Sequence, residues 1–517
     1  MQKFLLIIGL FLCLDVSAQL PEDALRSSWV TPSGTARQQA IGGAMGSLGG
    51  EISSGFVNPA GLGLYKTNEV VITPGWRFLL DKSKYLGTNT SGSTADNFNL
   101  GASGLVIGYP GRQQGVSNAF VIAVNRMANF NNNIRYKGEN DYSSFSEQYA
   151  EEFAASGLDI LEGIGSPSLS YGTRMALYTS LVDTATINGT LQVIGQPQKA
   201  GRLLQENNLQ TRGGITEIDL SLATSQHDKW YFGGSLGIPI LSYTRNQTFT
   251  ESDATGNPDN DFESFTYRET YTSKGWGLNA KFGAIFRPDA SWRFGLAIHT
   301  PSVYGLTDKI NASMISRTEN YTSLKQVSVS SDSLDQITGV SPPANTIKYD
   351  LYTPWKFLLS GSYVFGGGTA NTKQQKGFIT ADLEYITTGS PHFSSADQNS
   401  DGSDNGYFDQ VNQAIKDSYK GSLGARLGGE LKFNTLMVRA GAAYYSSPYE
   451  DRGFKADRLF LSSGLGYRNR GLFIDLTYVL GFTRDIDVPY RLGDKANTYA
   501  TLKDVGSTVL LTVGVKL

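Results

Sequence analysis

Few residues in this chain could carry chemistry, and their spacing limits what that chemistry could be. Asp397, Asn399 and Asp401 alternate and are followed by Gly402, which reproduces the oxygen ligands and the bend in the first half of a calcium loop. The bidentate Glu that should close such a loop is replaced by Phe408, with Asp404 and Asp409 nearby. Structural calcium is therefore one reading and a solvated turn the other. The three histidines, His227, His299 and His392, fall on different elements and read as a turn, a lumen and a loop position. There is no Ser/His/Asp arrangement, HExxH or paired-cysteine site, and the glycine run at 42–50 lacks the spacing that cradles phosphate. The chain reads as a non-enzyme with no cofactor beyond that calcium.

A second set of charged residues is more regular. Glu217, Asp219, Lys281, Arg293, His299, Lys356, Asp382, Glu384, Arg426, Glu430, Arg439 and Asp475 are mostly isolated within otherwise apolar stretches of period two. In a wall surrounded by hydrocarbon, a basic residue facing the lipid midplane costs roughly 2–4 kcal/mol. Facing an enclosed lumen avoids that cost, so Lys281, Arg293, Lys356, Asp382, Glu384, Arg426, Glu430 and Arg439 are candidate lumen groups. Lumen filling and hydrogen bonding to a plug are the simplest roles for them. The mixed signs argue against a plain anion or cation filter.

The elements that must hold these residues are strands. From Trp230 the even positions read Trp230, Phe232, Leu236, Ile238 and Ile240, against Gly233, Ser235 and Gly237. From Gly471 they read Leu472, Ile474, Leu476, Tyr478, Leu480 and Phe482, with Asp475 and Thr477 on the other face. The last residues repeat the pattern in Val509, Leu511, Val513, Val515 and Leu517. Reading the chain this way predicts about fourteen strands, near 68–80, 96–109, 116–129, 212–225, 229–245, 270–287, 291–304, 347–365, 377–388, 419–431, 435–447, 458–468, 471–483 and 504–517. Short links such as Pro110-Gly111, Pro288-Asp289 and Asn469-Arg470 alternate with long ones, the longest at 130–211. The link at 366–376 is longer than its short companions. That rhythm predicts an all-β fold, a transmembrane antiparallel barrel with tight periplasmic turns and long extracellular loops. An even strand count puts both ends in the periplasm.

Apolar residues at helical spacing over 144–164 (Phe145, Tyr149, Phe153, Leu158, Leu161) and 169–182 predict helices inside the longest loop, and a third short helix is expected over 408–419. The first of these stretches also carries Glu147, Glu151, Glu152 and Asp159, an acidic face.

The start of the chain reads as a signal peptide over residues 1–18, with an apolar run from Phe4 to Leu14 and cleavage after Ala18. Its removal would take away Cys13, the one cysteine, and with it disulfide and thiol chemistry. Formal net charge is -3 and the pI is near 5.8, which argues against nucleic acid as a partner. Residues 19–66 are small, polar and glycine-rich, either a disordered lead or an N-terminal hatch inside the barrel, which is assigned to 67–517.

The stretch Phe56-Val57-Asn58-Pro59-Ala60-Gly61-Leu62-Gly63-Leu64, its glycine-rich lead-in and the strand pattern together resemble the FadL/TodX/OmpP1 family of outer-membrane transporters, in the style found in Bacteroidota. The resemblance implies a hatch blocking the barrel, with Asn58, Pro59 and Ala60 in its motif. It implies passive uptake of hydrophobic compounds, long-chain fatty acids or aromatic hydrocarbons, with lateral release through a gap in the wall. The acidic face over 144–164 is unhelpful for fatty-acid carboxylates. The partners implied are outer-membrane lipid and a hydrophobic ligand. A second expectation from the same resemblance is a non-transporting scaffold subunit that docks other outer-membrane or cell-surface proteins in a secretion or assembly complex.

Overall fold

The computed structural model describes residues 21–28, 32–339, 346–366, 375–396 and 403–517. The expected signal peptide, Cys13 and the calcium motif Asp397, Asn399 and Asp401 lie outside them. Before the wall begins, the chain forms helices α1 (Pro21–Ser28), α2 (Ala36–Ala40) and α3 (Ser54–Val57), then a 3-10 turn over Pro59–Leu64.

The wall has fourteen antiparallel staves, several of them broken into two strands. The first is β1 (Glu69–Ile72) with β2 (Pro74–Tyr85), against whose top a short β3 (Thr88–Ser91) folds back. β4 (Ala95–Leu100) and β5 (Ser103–Pro110) make the second, β6 (Ser117–Asn129) and β7 (Asn132–Asn140) the third. A loop domain follows: α4 (Glu147–Ser156), α5 (Ile160–Gly165), α6 (Tyr171–Tyr178) and the separate hairpin β8 (Val182–Ile187) and β9 (Thr190–Gly195). Then come three long unbroken staves, β10 (Leu203–Gln226), β11 (Trp230–Asp253) and β12 (Ser264–Phe286). β13 (Trp292–His299) and β14 (Val303–Arg317) share the seventh; β15 (Gln326–Ser330) pairs beside it and leads into α7 (Ser331–Thr338). β16 (Thr346–Tyr352) with β17 (Lys356–Phe365), and β18 (Gly377–Ile386) with β19 (His392–Ser395), are the eighth and ninth. After α8 (Ser403–Ser418), β20 (Ser422–Phe433), β21 (Leu436–Tyr445), β22 (Arg458–Asn469), β23 (Leu472–Asp487) and β24 (Ala500–Lys516) complete the ring. β24 pairs with both β1 and β2, which closes it.

Alternation turns this sheet inside out relative to a soluble protein. On β23 the apolar Leu472, Ile474, Leu476 and Tyr478 are exposed, while Asp475 and Thr477 are buried on the inner face. The same outward band runs through Phe282, Leu296, Leu359, Leu383, Leu427 and Leu465. Aromatic residues border it: Trp230, stacked on Phe286 at 4.3 Å, and Trp292 at the short-turn end, Trp276 and Trp355 toward the long loops. An apolar band between aromatic girdles is the lipid-facing surface of a membrane barrel. No helix among the described residues is long and apolar enough to cross a membrane.

The staves overrun the predicted ones because the pattern inverts above the band. On β11, Leu241, Tyr243 and Phe249 point inward and are buried, whereas Ser242, Thr244, Asn246, Thr248 and Thr250 take the outer face. Water replaces lipid there, so the apolar side turns to the core. Consequently β7 and the start of β10 are strand, and the longest loop runs over 141–202 rather than 130–211.

The loop helices bury their apolar faces on the barrel's own upper strands. Phe145 stacks on Phe249 at 4.3 Å, and Tyr149, Phe153, Met175, Met314 and Leu334 join the same buried cluster. Each large side chain withdrawn from water contributes about 1.5–3 kcal/mol. Leu161 is the exception, at 81% exposed. The expected acidic face is absent, because its members are consumed as local acceptors. Glu147 accepts from Lys495 Nζ at 2.5 Å, Glu151 from the Gly493 amide at 2.8 Å, Glu152 from the Ser170 amide at 2.6 Å, and Asp159 caps α5. The short helix expected over 408–419 begins earlier, as α8, and His392 opens β19 rather than lying in a loop, its ring stacked on Tyr352 at 4.4 Å.

Glu251, at the top of β11 well above the apolar band, ties this cap to the wall. Its carboxylate accepts from Ser144 Oγ at 2.6 Å, the Phe145 amide at 2.8 Å and Gln205 Nε2 at 2.6 Å. Burial, with Glu147 near and no cation against it, pushes its pKa up to about 7 from 4.5 despite those donors. The folded cap thus favours the protonated acid, so the linked stability is complete below 4.5 and lost as pH rises through about 7. Amide protection across 141–202, corrected for intrinsic rates, is expected to be higher at pH 5 than at pH 8, and Glu251→Gln should flatten the difference. Equal protection at both pH values in the unaltered protein would contradict the assignment.

Candidate functional site

Inside the wall, residues 32–65 follow a path with little regular structure, and the backbone groups they do not pair among themselves are met in part by side chains reaching in from the strands. Thr512 Oγ1 accepts from the Ala36 amide at 2.8 Å, and Thr477 Oγ1 donates to the Ala36 carbonyl at 2.6 Å. Asp382 accepts from the Gly46 amide at 3.2 Å; Arg293 donates to the Leu48 carbonyl at 2.6 Å; Ser117 Oγ donates to the Gly63 carbonyl at 2.6 Å. His299 Nε2 lies 2.8 Å from the Val57 carbonyl oxygen. Glycine permits the closest approaches. A Cβ on Gly42, whose φ is +66°, would sit 2.6 Å from the Ala442 carbonyl oxygen of β21.

Asn58 is the tightest junction. Its Nδ2 donates to Gly46 O at 2.6 Å and reaches two wall carbonyls, Ala284 at 3.4 Å and Leu296 at 3.3 Å, while its Oδ1 caps the 3-10 turn through the Ala60 amide at 3.1 Å. Pro59 opens that turn, where a missing amide hydrogen costs nothing. Ala60 packs between Tyr231 and Ile285. At Gly283 on β12 a Cβ would lie 1.8 Å from Asn58 Oδ1, so the wall is shaped around this side chain.

Eight of the charged lumen groups form three paired sets around the same segment. Lys281 donates to Glu217 at 2.5 Å and Asn279 donates to its other oxygen at 2.9 Å. Arg426 pairs with Glu384 at 2.8 Å, beside Asp382 at 4.0 Å. Arg439 is clasped by Glu430 at 2.7 Å and Asp475 at 2.6 Å, and Glu430 also faces Arg37 of the inner segment at 3.5 Å. Lys356 and His299 line two neighbouring cavities of about 50 Å³ each, between α1, the inner segment and the wall. That holds a few waters.

Sequence reasoning missed Arg37 and Glu51, although they are the only charges between Pro32 and Leu64, a signal that was there to be read. Glu51 accepts from Thr35 at 2.5 Å and Ser53 at 2.8 Å. It missed α1 as well, which lies in the upper lumen with Ala24 and Leu25 among Tyr243, Tyr271, Tyr304 and Phe408. Asn125 was also not anticipated.

One part of the wall is open. β5 pairs with β6 from Pro110 up to Ser103, opposite Val124, and no ladder among the described residues joins β4 to β6 above that point. β4 pairs only with β2, and residues 125–129 of β6 pair only with β10. The inner segment stands against this opening: Asn125 Nδ2 donates to Ser33 Oγ at 3.0 Å, and a Cβ on Gly101 would meet the Gly34 carbonyl oxygen at 2.4 Å. Beneath it the inward residues are apolar, with Ala102, Val106, Val121 and Ala123 packed on Ile52, Phe56 and Leu62.

No protein-family profile matches the chain, and no curated protein matches it in sequence. Among solved structures it is similar to a Pseudomonas aeruginosa FadL homologue, at 13% identity over 94% of this chain and 99% of that one, with a TM-score of 0.54. It is also similar to the P. putida toluene transporter TodX, at 12% identity over 95% and 99%, with a TM-score of 0.50. At such identities the likeness establishes the fold, a FadL-type barrel, as the resemblance implied.

Two outcomes are expected at this site. Asn58→Leu leaves wall and segment carbonyls unpaired, a loss of roughly 1–3 kcal/mol in holding the segment, and should speed proteolysis between residues 32 and 66 without unfolding the barrel. Arg439→Leu strands two buried carboxylates and should lower barrel stability by roughly 3–5 kcal/mol in denaturant titration. The triple change Glu430→Gln, Arg439→Leu, Asp475→Asn should recover most of that.

Proposed function

We propose that this chain is an outer-membrane channel through which hydrophobic compounds, long-chain fatty acids or aromatic hydrocarbons, diffuse passively, with residues 32–66 as its hatch. The observation that carries the reading is the break between β4 and β6, stoppered by Ser33 and Gly34 of the inner segment and underlain by the apolar cluster of Ala102, Val106, Val121 and Ala123. A water-filled pore needs a polar lining; an exit for hydrocarbon needs an apolar one that opens toward lipid. The same fold in a protein described as a toluene transporter supports the substrate class. Short turns are read as periplasmic and the cap over 141–202 as extracellular, and no energy source is needed for movement down a gradient.

A second reading is favoured by the filled lumen. The cavities beside Lys356 are about 50 Å³, far below the roughly 300–1,000 Å³ of ordinary ligand pockets. A barrel held shut this way, with Leu161 and Ile337 exposed on its cap, would serve as a scaffold subunit in an envelope complex.

Lateral passage is tested by tethering the hatch at the opening. In Ser33→Cys/Asn125→Cys, bridged by a reducible bis-methanethiosulfonate, uptake of labelled oleate or toluene into cells lacking other such channels is expected to stop and to return on reduction. Unaltered uptake in the bridged protein sinks the lateral route. Removing residues 32–66 is expected to leave a foldable but leaky barrel in liposome swelling. If the purified protein carries no hydrophobic molecule, moves neither compound and brings a stoichiometric protein partner, the scaffold reading replaces the channel.

A further inference from the structure

The outer wall carries a row of cations that the function above does not use. β2, β24 and β23 are adjacent, and their register sets Lys82 directly opposite Lys503, and Lys503 directly opposite Arg484. All three alternate with inward residues and are exposed, and Lys84 stands one outward step further along β2. Neighbouring strands lie roughly 5 Å apart, so three positive side chains share a strip about 10 Å wide. Arg484 faces Asp457 at 3.5 Å; Lys82 and Lys503 have no carboxylate at ion-pair distance among the described residues.

Like charges directly opposite each other oppose strand pairing, so this arrangement calls for an anion from outside the chain. Its height says which kind. Below the row, toward the membrane, the same faces carry Trp76 and Phe78 on β2, Tyr478 and Phe482 on β23, and Val509 on β24, all exposed members of the apolar band. Arg484 is the next outward residue after Phe482, about 7 Å further along the strand, where hydrocarbon gives way to headgroups. Ammonium and guanidinium groups side by side match the several acceptor oxygens of a phosphate.

We propose that Lys82, Lys503 and Arg484 bind the phosphate of a lipid headgroup packed against the outside of the barrel at its long-loop rim. The site rests on reading the exposed apolar band as lipid-facing, and it is independent of whether the lumen transports anything. The occupant is a phosphorylated lipid rather than free phosphate, because the row opens onto the apolar band that would hold the acyl chains.

The test uses the full-length barrel in a zwitterionic detergent, titrated with synthetic bis-phosphorylated lipid A and followed by native mass spectrometry and thermal unfolding. The unaltered protein is expected to retain the lipid and gain thermal stability. The triple variant Lys82→Gln/Lys503→Gln/Arg484→Gln should bind it at least about tenfold more weakly, and Lys137→Gln, on another outward face, should bind as before. Lys503→Glu, which exchanges repulsion for attraction within the row, should unfold at a higher temperature than the unaltered protein without lipid and lose the gain on adding it. Equal binding by the triple variant overturns the proposal. Displacement of the lipid by equimolar inorganic phosphate overturns the lipid as occupant. A barrel that stays in solution without detergent would instead overturn the lipid-facing band itself.

Discussion

Hydrocarbon offers no hydrogen bonds, so every backbone amide and carbonyl of the wall must find its partner within the wall. The ring of staves closed by β24 on β1 and β2 meets that demand except at the break between β4 and β6, and it dictates much of the rest. With the outer face given over to Leu, Ile, Phe and Trp, polar side chains can go only inward. Most charges placed there are paired there. The pairs Glu217–Lys281 and Glu384–Arg426 and the Glu430–Arg439–Asp475 set are the result. Such buried pairs add little net stability over an apolar filling, but they present fixed donors and acceptors to whatever occupies the lumen.

The inner segment is the complement of that surface. With only short helices and a 3-10 turn, it leaves some amides and carbonyls without internal partners, those of Ala36, Gly46, Leu48 and Gly63 among them, which in a dry interior would be costly. Thr477, Thr512, Asp382, Arg293 and Ser117 meet that need from the wall. Glycines let the two backbones touch, Gly42 against Ala442 among them. Wall and segment are therefore a matched set, and Asn58 fastens both at once. Among the described residues, the wall is discontinuous where the segment covers it, beside Ser33 and Gly34.

The barrel was legible because lipid and lumen impose opposite chemistry on adjacent residues, and Leu472 to Phe482 show it without ambiguity. Isolated charges such as Lys281 and Arg439 could be assigned to the lumen face by the same logic, but their partners could not: Arg439 meets Asp475 only because β21 and β23 flank β22, a matter of register. Strand tops were missed where solvent replaces lipid and Leu241, Tyr243 and Phe249 take the inner face. Glu147 and Glu152 were misjudged because a loop acid gives no sign in sequence of the amide that will claim it. The opening between β4 and β6 depends on hydrogen bonds not made, which no side-chain pattern records.

The ring is joined by a seam between its earliest and latest strands, with Glu69 beside Lys516 and Gly75 beside Leu510. A chain made from its amino end therefore spends most of its synthesis with no enclosure at all, and residues 32–65 exist long before there is anything to be inside. Once the seam zips, side chains from many staves surround them. The last strand to be made shuts the first segment in, and that segment gives the closing cylinder something to shape itself around.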